Sequence, residues 1–265
     1  SAKSMGNRGF RQDIDKGFIS IGGLFFFDVL LHALYSMLHT MDHILLIDKP
    51  AGITSHDVVD RVRKIFQTRQ VGHAGTLDPF ATGLLIVGVG AATKELSTYV
   101  GLDKTYVATA RLGATSTTDD PEGVISPSPY EGERVGGEAI EHAFKKFRGE
   151  YLQISPLYSA KKVGGKKMYE LARKGLGDTV ERPKKLVTIY ALRTVHDAWP
   201  DLTFEVTCSS GTYIRALARD IGEILKTGAY LTALRRTRIG MYDLKDAKSI
   251  DSLTNSRALD TKPAS

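Results

Sequence analysis

The part of the sequence best suited to chemistry is a glycine-rich segment that ends in an aspartate followed by a proline. It occupies residues 72–79 and reads GHAGTLDP. Gly72 and Gly75 allow the backbone to approach a partner closely, and Pro79 restricts Asp78 to an extended conformation. The pattern predicts a carboxylate held at a fixed angle, which suits catalysis. On spacing alone, an ordinary Asp-Pro turn is the competing interpretation.

Metal chemistry and hydrolase chemistry are not indicated. The chain has a single cysteine, Cys208, which excludes an internal disulfide and a cysteine-based zinc cage and favours a reducing compartment. The seven histidines show no HExxH or similar ligand spacing, so we expect no metal site. No Gly-x-Ser-x-Gly elbow or ordered triad supports a serine hydrolase.

The segments around Asp78 read as short strands and amphipathic helices. An apolar strand is predicted at 44–47, and a helix capped by Thr54 and Asp57 follows it. Residues 105–112 and 202–208 alternate as strands do, whereas 140–147 and the stretch from Thr212 have helical spacing. The polar stretch 115–132 is predicted to be a loop. Because the elements do not alternate regularly, we expect an α+β fold with a mixed sheet.

Five segments resemble, in chain order, the motifs of the TruB-type tRNA pseudouridine synthases. They are 46–55 (LIDKPAGITS), 72–85 (GHAGTLDPFATGLL), 103–113 (DKTYVATARLG), 155–162 (SPLYSAKK) and 208–215 (CSSGTYIR). The resemblance spans about residues 42 to 242. It implies the pseudouridine synthase fold, a mixed and mostly antiparallel sheet flanked by helices and loops, with an RNA-binding insertion.

The resemblance implies three catalytic residues. Asp78 would act on a uridine so that the glycosidic bond to nitrogen breaks and a bond to carbon forms, without cofactor or metal. Arg215 would keep this carboxylate charged, since an opposite charge lowers an aspartate pKa. Asp120 is a possible second partner of Arg215. Tyr106 would stack on the target base and share in proton transfer, although its place in an alternating strand also fits core packing.

Further residues match positions that bind substrate in the family. His73 would fill the vacancy left by the extruded base, Lys49 would support the active-site loop, and Tyr213 and Leu234 would line the base pocket. An ordinary loop histidine is the alternative for His73.

The basic residues of the sequence are candidate phosphate contacts, although lysine runs usually just face solvent. The resemblance makes the first set part of the insertion that closes over RNA. The candidates are Lys161, Lys162, Lys166 and Lys167 in the insertion, and Arg235, Arg236 and Arg238 near the end.

The net charge of +6 and a pI near 9.2 suggest an acidic partner, either nucleic acid or an anionic membrane. The resemblance implies that this partner is the T-arm of tRNA. Residues 41–246 are expected to form the catalytic domain and 247–265 a C-terminal tail, without the PUA-type RNA-binding domain of many relatives. Residues 1–40 are expected to be an extension, with a signal-anchor at 18–38 as the alternative. We expect a cytoplasmic monomer with no membrane association and no obligate protein partner.

The predicted function is isomerisation of uridine to pseudouridine, at T-loop position 55 if the chain follows its family. The alternative is a tRNA-folding chaperone with little or no catalysis. The presence of Asp78, Tyr106 and Arg215 argues against an idle binding protein, although chaperoning and catalysis could coexist.

Overall fold

The computed structural model describes residues 42–130, 132, 134–158, 162–163, 165–168 and 181–253. The chain divides into two units, 1–42 and 43–265, and every element below belongs to the second. The predicted extension 1–40, Lys161 and the end of the predicted tail lie outside the described residues.

The described elements are mostly strands. The strands are β1 (His43–Lys49), β2 (Val71–Ala74), β3 (Thr82–Val89), β4 (Lys104–Leu112), β5 (Ala114–Ser116), β6 (Ile125–Pro127), β7 (Gly149–Ile154), β8 (Lys162–Val163), β9 (Lys166–Lys167), β10 (Lys184–Ala198), β11 (Asp201–Cys208), β12 (Ala229–Ile239) and β13 (Tyr242–Asp243). The α-helices are α1 (Ser55–Phe66), α2 (Leu96–Val100), α3 (Gly137–Phe147) and α4 (Ile214–Ile224).

One large sheet organises these elements. Its strand order is β1-β3-β12-β4-β11-β10-β7, with β2 paired to β3 and β13 paired to β12. Of the pairings in this sheet, β3 with β12 is parallel and the others described are antiparallel. The arrangement agrees with the expected mixed, mostly antiparallel sheet.

The sheet is covered by amphipathic helices, as the sequence pattern predicts. In β4, Tyr106, Ala108, Ala110 and Leu112 are buried and join a core that includes the apolar faces of α3 and α4. A second core lies between α1 and the strands β1, β2 and β3. The predicted cap of α1 is present, because the Thr54 and Asp57 side chains each accept a hydrogen bond from the other residue's backbone.

The parallel pairing of β3 and β12 depends on Gly83. This residue has φ +103°, and an added Cβ would lie 2.3 Å from the backbone oxygen of Arg236. Only glycine fits where the two backbones approach so closely. This contact joins the strand that follows the Asp78 loop to the centre of the sheet.

Several boundaries differ from the predictions. The segment predicted as one glycine loop begins as strand β2, which pairs with β3, so only its second half is a loop. The stretch predicted as a loop after Thr115 contains the short β5–β6 hairpin. Helix α4 begins two residues later than expected, at Ile214.

The beginning of the predicted tail, 247–253, is folded against β1. The Lys248 backbone exchanges hydrogen bonds with Leu46 and Asp48, and the side chains of Ile250 and Leu253 are buried in the second core. Within the described part of the chain, no helix has the length and apolarity needed to cross a membrane.

Candidate active site

The Asp78 loop is held on one side by the first residue of α1. The Ser55 hydroxyl accepts a hydrogen bond from the Leu77 backbone N–H at 2.9 Å and lies 3.2 Å from the Leu77 carbonyl, to which it donates. Both partners are buried. The helix therefore fixes the residue directly before Asp78.

Two buried cations hold the rest of the loop. The Lys49 ammonium is fully buried and donates to the carbonyls of Pro50, Ile53 and Pro79 at 2.9, 2.6 and 3.2 Å. The Arg236 guanidinium, 1% exposed, donates to Leu84 at 2.7 Å and Gly75 at 3.0 Å. Each cation donates these hydrogen bonds to backbone carbonyls, so the loop is anchored at both ends.

Arg215 lies between two carboxylates. Its Nε is 3.0 Å from Asp78 Oδ2, and its Nη1 is 3.0 Å from Asp120 Oδ2. The guanidinium also donates to the carbonyls of Thr118 and Tyr158 at 2.8 and 3.1 Å. The arginine side chain is 7% exposed and Asp120 4%, whereas Asp78 is 36% exposed. Asp78 is thus the accessible member of the group, and the predicted contact of Asp120 with Arg215 is confirmed.

Asp120 is aimed at Arg215 by its own turn. Its Oδ1 accepts from the Thr118 hydroxyl at 2.5 Å and from the Glu122 backbone N–H at 3.0 Å. This leaves Oδ2 free to meet the guanidinium. The turn therefore explains how Asp120, the predicted second partner of Arg215, makes this contact.

The pKa of Asp78 is raised above its ordinary value because burial disfavours the charged carboxylate. Arg215 opposes this rise, and the negative charge of Asp120 adds to it. Arg215 lowers the pKa, as the sequence predicts, but the effect of burial is larger.

Tyr106 is buried on β4, directly opposite Arg236 in β12. Burial raises the pKa of its hydroxyl, and the nearby Arg236 cation opposes that rise. Leu234, two residues before Arg236 on β12, is buried in the same core as Tyr106 and Leu77. The structure therefore places Tyr106 and Leu234 in the core that also contains Leu77, the residue before Asp78.

Tyr213 is the residue before α4 and is held through its backbone. The buried Gln153 side chain accepts from the Tyr213 N–H at 2.8 Å and donates to its carbonyl at 3.0 Å. This pair of bonds fixes the start of the helix that carries Arg215. Gln153 was missed from the sequence, where a lone glutamine in an edge strand gives no signal of burial.

His73 lies in β2 rather than in a loop, paired with Val87 of β3. Burial lowers the pKa of its imidazole, and the Arg236 cation lowers it further. Its Nδ1 is buried without a hydrogen-bond partner among the described residues. The imidazole is therefore biased towards its neutral form.

The residues predicted to contact phosphate differ in their burial and in their partners. Lys162, Lys166 and Lys167 belong to the short strands β8 and β9, which pair with each other. The prediction for Arg236 is wrong, because its buried guanidinium is bonded to carbonyls. Arg236 lies two residues after Leu234 and therefore on the same inward face of β12. This spacing could have indicated that Arg236 is buried. Arg235 is exposed and ion-paired to Asp48 at 2.7 Å.

No group of three or more histidine, cysteine, aspartate or glutamate side chains suited to a metal ion occurs among the residues that the structure describes. The site's polar groups are two carboxylates, a shared guanidinium and a buried phenol. This set can keep the Asp78 carboxylate ionised and place it next to a bound nucleoside.

Comparison with protein families shows which family the chain belongs to. The family model described as "TruB family pseudouridylate synthase (N terminal domain)" matches residues 63–214, and "tRNA pseudouridylate synthase B C-terminal domain" matches residues 215–263. The chain belongs to the TruB family. The family resemblance and the predicted fold class are confirmed.

Individual relatives of this TruB-family chain agree. It is 51% identical over 218 residues to tRNA pseudouridine synthase B of Mycobacterium sp. (strain KMS), covering 80% of this chain and 72% of the relative. It is 49% identical over 218 residues to the protein of that name from Mycobacterium tuberculosis (strain ATCC 25618 / H37Rv), covering 82% and 73%.

A solved relative has the same fold. The crystal structure of a Cbf5-Nop10-Gar1 complex contains a chain with a TM-score of 0.65 and 28% identity, covering 84% of this TruB-family chain and 56% of that one.

Proposed function

We propose that this protein isomerises the uridine at T-loop position 55 of tRNA to pseudouridine, with Asp78 as the catalytic carboxylate. The activity class follows from TruB-family membership and from about half-identical relatives named tRNA pseudouridine synthase B. The protein is accordingly a tRNA pseudouridine synthase, an isomerase. The relatives do not favour the chaperone alternative. The target position and the residue roles are the proposal.

The observation that carries the proposal is the contact between a partly exposed Asp78 and a buried Arg215. In the reaction, the bond between C1′ and N1 of the uracil breaks, and a bond between C1′ and C5 forms. The C5 proton leaves and N1 ends protonated, so atoms balance without a cofactor. An ionised Asp78 serves either route, covalent addition or removal of a sugar proton to give a glycal.

Arg215 keeps a positive charge beside Asp78 while water is displaced by the substrate. Bringing RNA into the site strengthens the tendency of the carboxylate to take up a proton, because desolvation disfavours charge. The guanidinium opposes this tendency. Its other bonds, to Asp120 and to backbone carbonyls, hold it in place during the reaction.

Tyr106 and Leu234 are the proposed walls of the base pocket, with Tyr213 beside them at the start of α4. Stacking on an aromatic ring holds an extruded base by its face and allows the uracil to turn in its plane. His73 would occupy the position that the uridine leaves, and its bias towards the neutral form supports stacking there.

Phosphate contacts are assigned to the basic insertion, namely Lys161, Lys162, Lys166 and Lys167. The remaining assignments are a catalytic domain at 41–246, no obligate protein partner, a monomer and a cytoplasmic location. They follow from the family resemblance and from the sequence.

The test uses a tRNA transcript and a matching transcript with cytidine at position 55. Parent protein should produce one pseudouridine, at position 55, detected by carbodiimide-dependent primer extension. Asp78→Asn should lower the single-turnover rate by about 10³-fold or more while tRNA binding is retained. Asp60→Asn is the matched control, because Asp60 is an exposed helical aspartate paired to Arg63.

Product formed by Asp78→Asn at the parent rate would refute the catalytic role. Product at another uridine would refute the target position. Tight tRNA binding without product from the parent protein would instead favour the chaperone.

A further inference from the structure

Arg219 lies one helical turn after Arg215 on α4 and bridges two segments of the site. Its Nη1 is 3.1 Å from Asp119 Oδ2, and its Nη2 donates to the Ile154 carbonyl at 3.1 Å. The side chains of Arg219 and Asp119 are 14% and 12% exposed. Asp220, the next residue on the helix, also accepts from this guanidinium at 2.7 Å.

The two arginines of α4 make parallel contacts. Arg215 reaches Asp120 and the Tyr158 carbonyl, and Arg219 reaches the neighbouring Asp119 and the Ile154 carbonyl. Each arginine thus ties the helix to the same turn, and to the end of β7 or the residues just after it. The first arginine touches the catalytic carboxylate, and the second does not.

The turn that presents Asp120 has a costly backbone conformation. Asp119 has φ +62°, a left-handed geometry that is unfavourable for a residue with a Cβ. Its carbonyl accepts from the Leu231 N–H at 3.1 Å, which attaches the turn to β12. The Asp119 carboxylate is held by Arg219, so this ion pair keeps the turn in the conformation that aims Asp120 at Arg215.

We propose that Arg219 is a positioning residue for the isomerising site, acting through Asp119 and the turn to hold Asp120 against Arg215. The proposal rests on the proposed function. Loss of the Arg219 cation would leave a buried Asp119 charge without its partner, and the turn would relax to relieve it. Asp120 would then move, and Arg215 would lose the contact that fixes it beside Asp78.

The activity test compares Arg219→Gln, Arg219→Lys and Asp119→Asn under single-turnover conditions on the same tRNA. Arg219→Gln and Asp119→Asn should each lower the rate constant by about 10- to 100-fold, with little change in the tRNA Kd, since misplacing a catalytic group affects the chemical step. Arg219→Lys should recover part of the rate. The Arg219→Gln effect should largely vanish in an Asp120→Ala background, because that substitution already removes the contact through which Arg219 acts.

The matched control is Arg148→Gln. Arg148 also bonds a carboxylate, that of Glu141, and a backbone carbonyl, that of Leu192, but it lies at the end of α3. It should lower the Tm without changing the rate constant. Equal loss of rate in Arg148→Gln and Arg219→Gln, or full additivity with Asp120→Ala, would overturn the proposal.

A crystal structure of Arg219→Gln, or of Asp119→Asn if the first variant does not fold, tests the positioning independently of activity. The separation of Asp120 from Arg215 should exceed the 3.0 Å of the parent. An unchanged separation would overturn the proposal even if parent protein forms pseudouridine. A parent protein without product would refute the proposed function and leave this structural outcome decisive for Arg219.

Discussion

Arg215 and Asp78 form a close ion pair without a well-aligned hydrogen bond. Nε lies 3.0 Å from Oδ2, yet this buried N–H has no hydrogen-bond partner among the described residues. Nη2 donates to Oδ1 across a long 3.4 Å. Asp120 Oδ2, in comparison, accepts a hydrogen bond from Nη1 at 3.0 Å. Asp78 therefore keeps most of its acceptor capacity for a substrate, while the neighbouring cation acts on it mainly through charge.

The pH dependence should respond in opposite directions to two neighbours of Asp78. In the proposed function the ionised carboxylate is the active form, so the rate should rise as pH rises through its pKa, which burial has raised. Arg215→Gln removes the cation that lowers this pKa. The acid limb of the pH–rate profile, where the rate rises with pH, should therefore move to higher pH. Asp120→Asn removes the anion that raises this pKa, and the limb should move to lower pH.

Single-turnover rates measured across the acid range check both shifts. The amide oxygen in Asp120→Asn can still accept from Arg215, so the arginine keeps a partner in that variant. Movement of both limbs in the same direction would show that the charges do not act on Asp78 as described.

Ser55→Ala should weaken both the fold and the activity. The substitution removes the hydroxyl that bonds the backbone of Leu77 and leaves a buried N–H unpaired, which costs about 1 to 3 kcal/mol. Because Leu77 precedes Asp78, the rate constant should fall as well. Urea unfolding and single-turnover kinetics measure the two effects.

Thr98→Ala is the control for this prediction, since Thr98 is an exposed residue whose hydroxyl bonds only a local helix carbonyl. It should change neither quantity. A stable but slow Ser55→Ala protein would limit the role of the serine to placing the loop, and a fully active one would contradict it.

Gly83→Ala should destabilise the protein by about 2 to 5 kcal/mol, because both the positive φ and the backbone of Arg236 exclude a Cβ. Gly101→Ala should have little effect, as its φ is negative and nothing lies within 4 Å of an added Cβ. Thermal unfolding compares the two. Similar Tm values would mean that β3 and β12 can separate without cost.

Arg236→Gln should lose about 2 to 5 kcal/mol of stability, because the carbonyls of Leu84 and Gly75 lose a buried charged donor. The salt dependence of tRNA binding should stay unchanged, since a buried arginine neutralises no phosphate. Arg235→Gln, at an exposed ion pair, should cost at most about 1 kcal/mol. A shallower salt slope in Arg236→Gln would restore the phosphate interpretation.

The sequence alone determined the features that depend on neighbours in the chain. The cap formed by Thr54 and Asp57, the inward face of β4 and the apolar stripe of α4 all follow from local spacing. The motif strings also identified the family and therefore the fold. These signals can be read from a sequence because periodicity and capping act over a few residues.

The tertiary structure decided how the polar groups of the site are held. Residues 78, 120 and 215, which the family resemblance already placed together, come from separate parts of the chain, and the geometry of a turn aims Asp120 at Arg215. The burial of Arg236, the role of Gln153 and the upward direction of the Asp78 pKa likewise depend on packing. Desolvation is set by everything that surrounds a group in space, so no local pattern of residues could have revealed it.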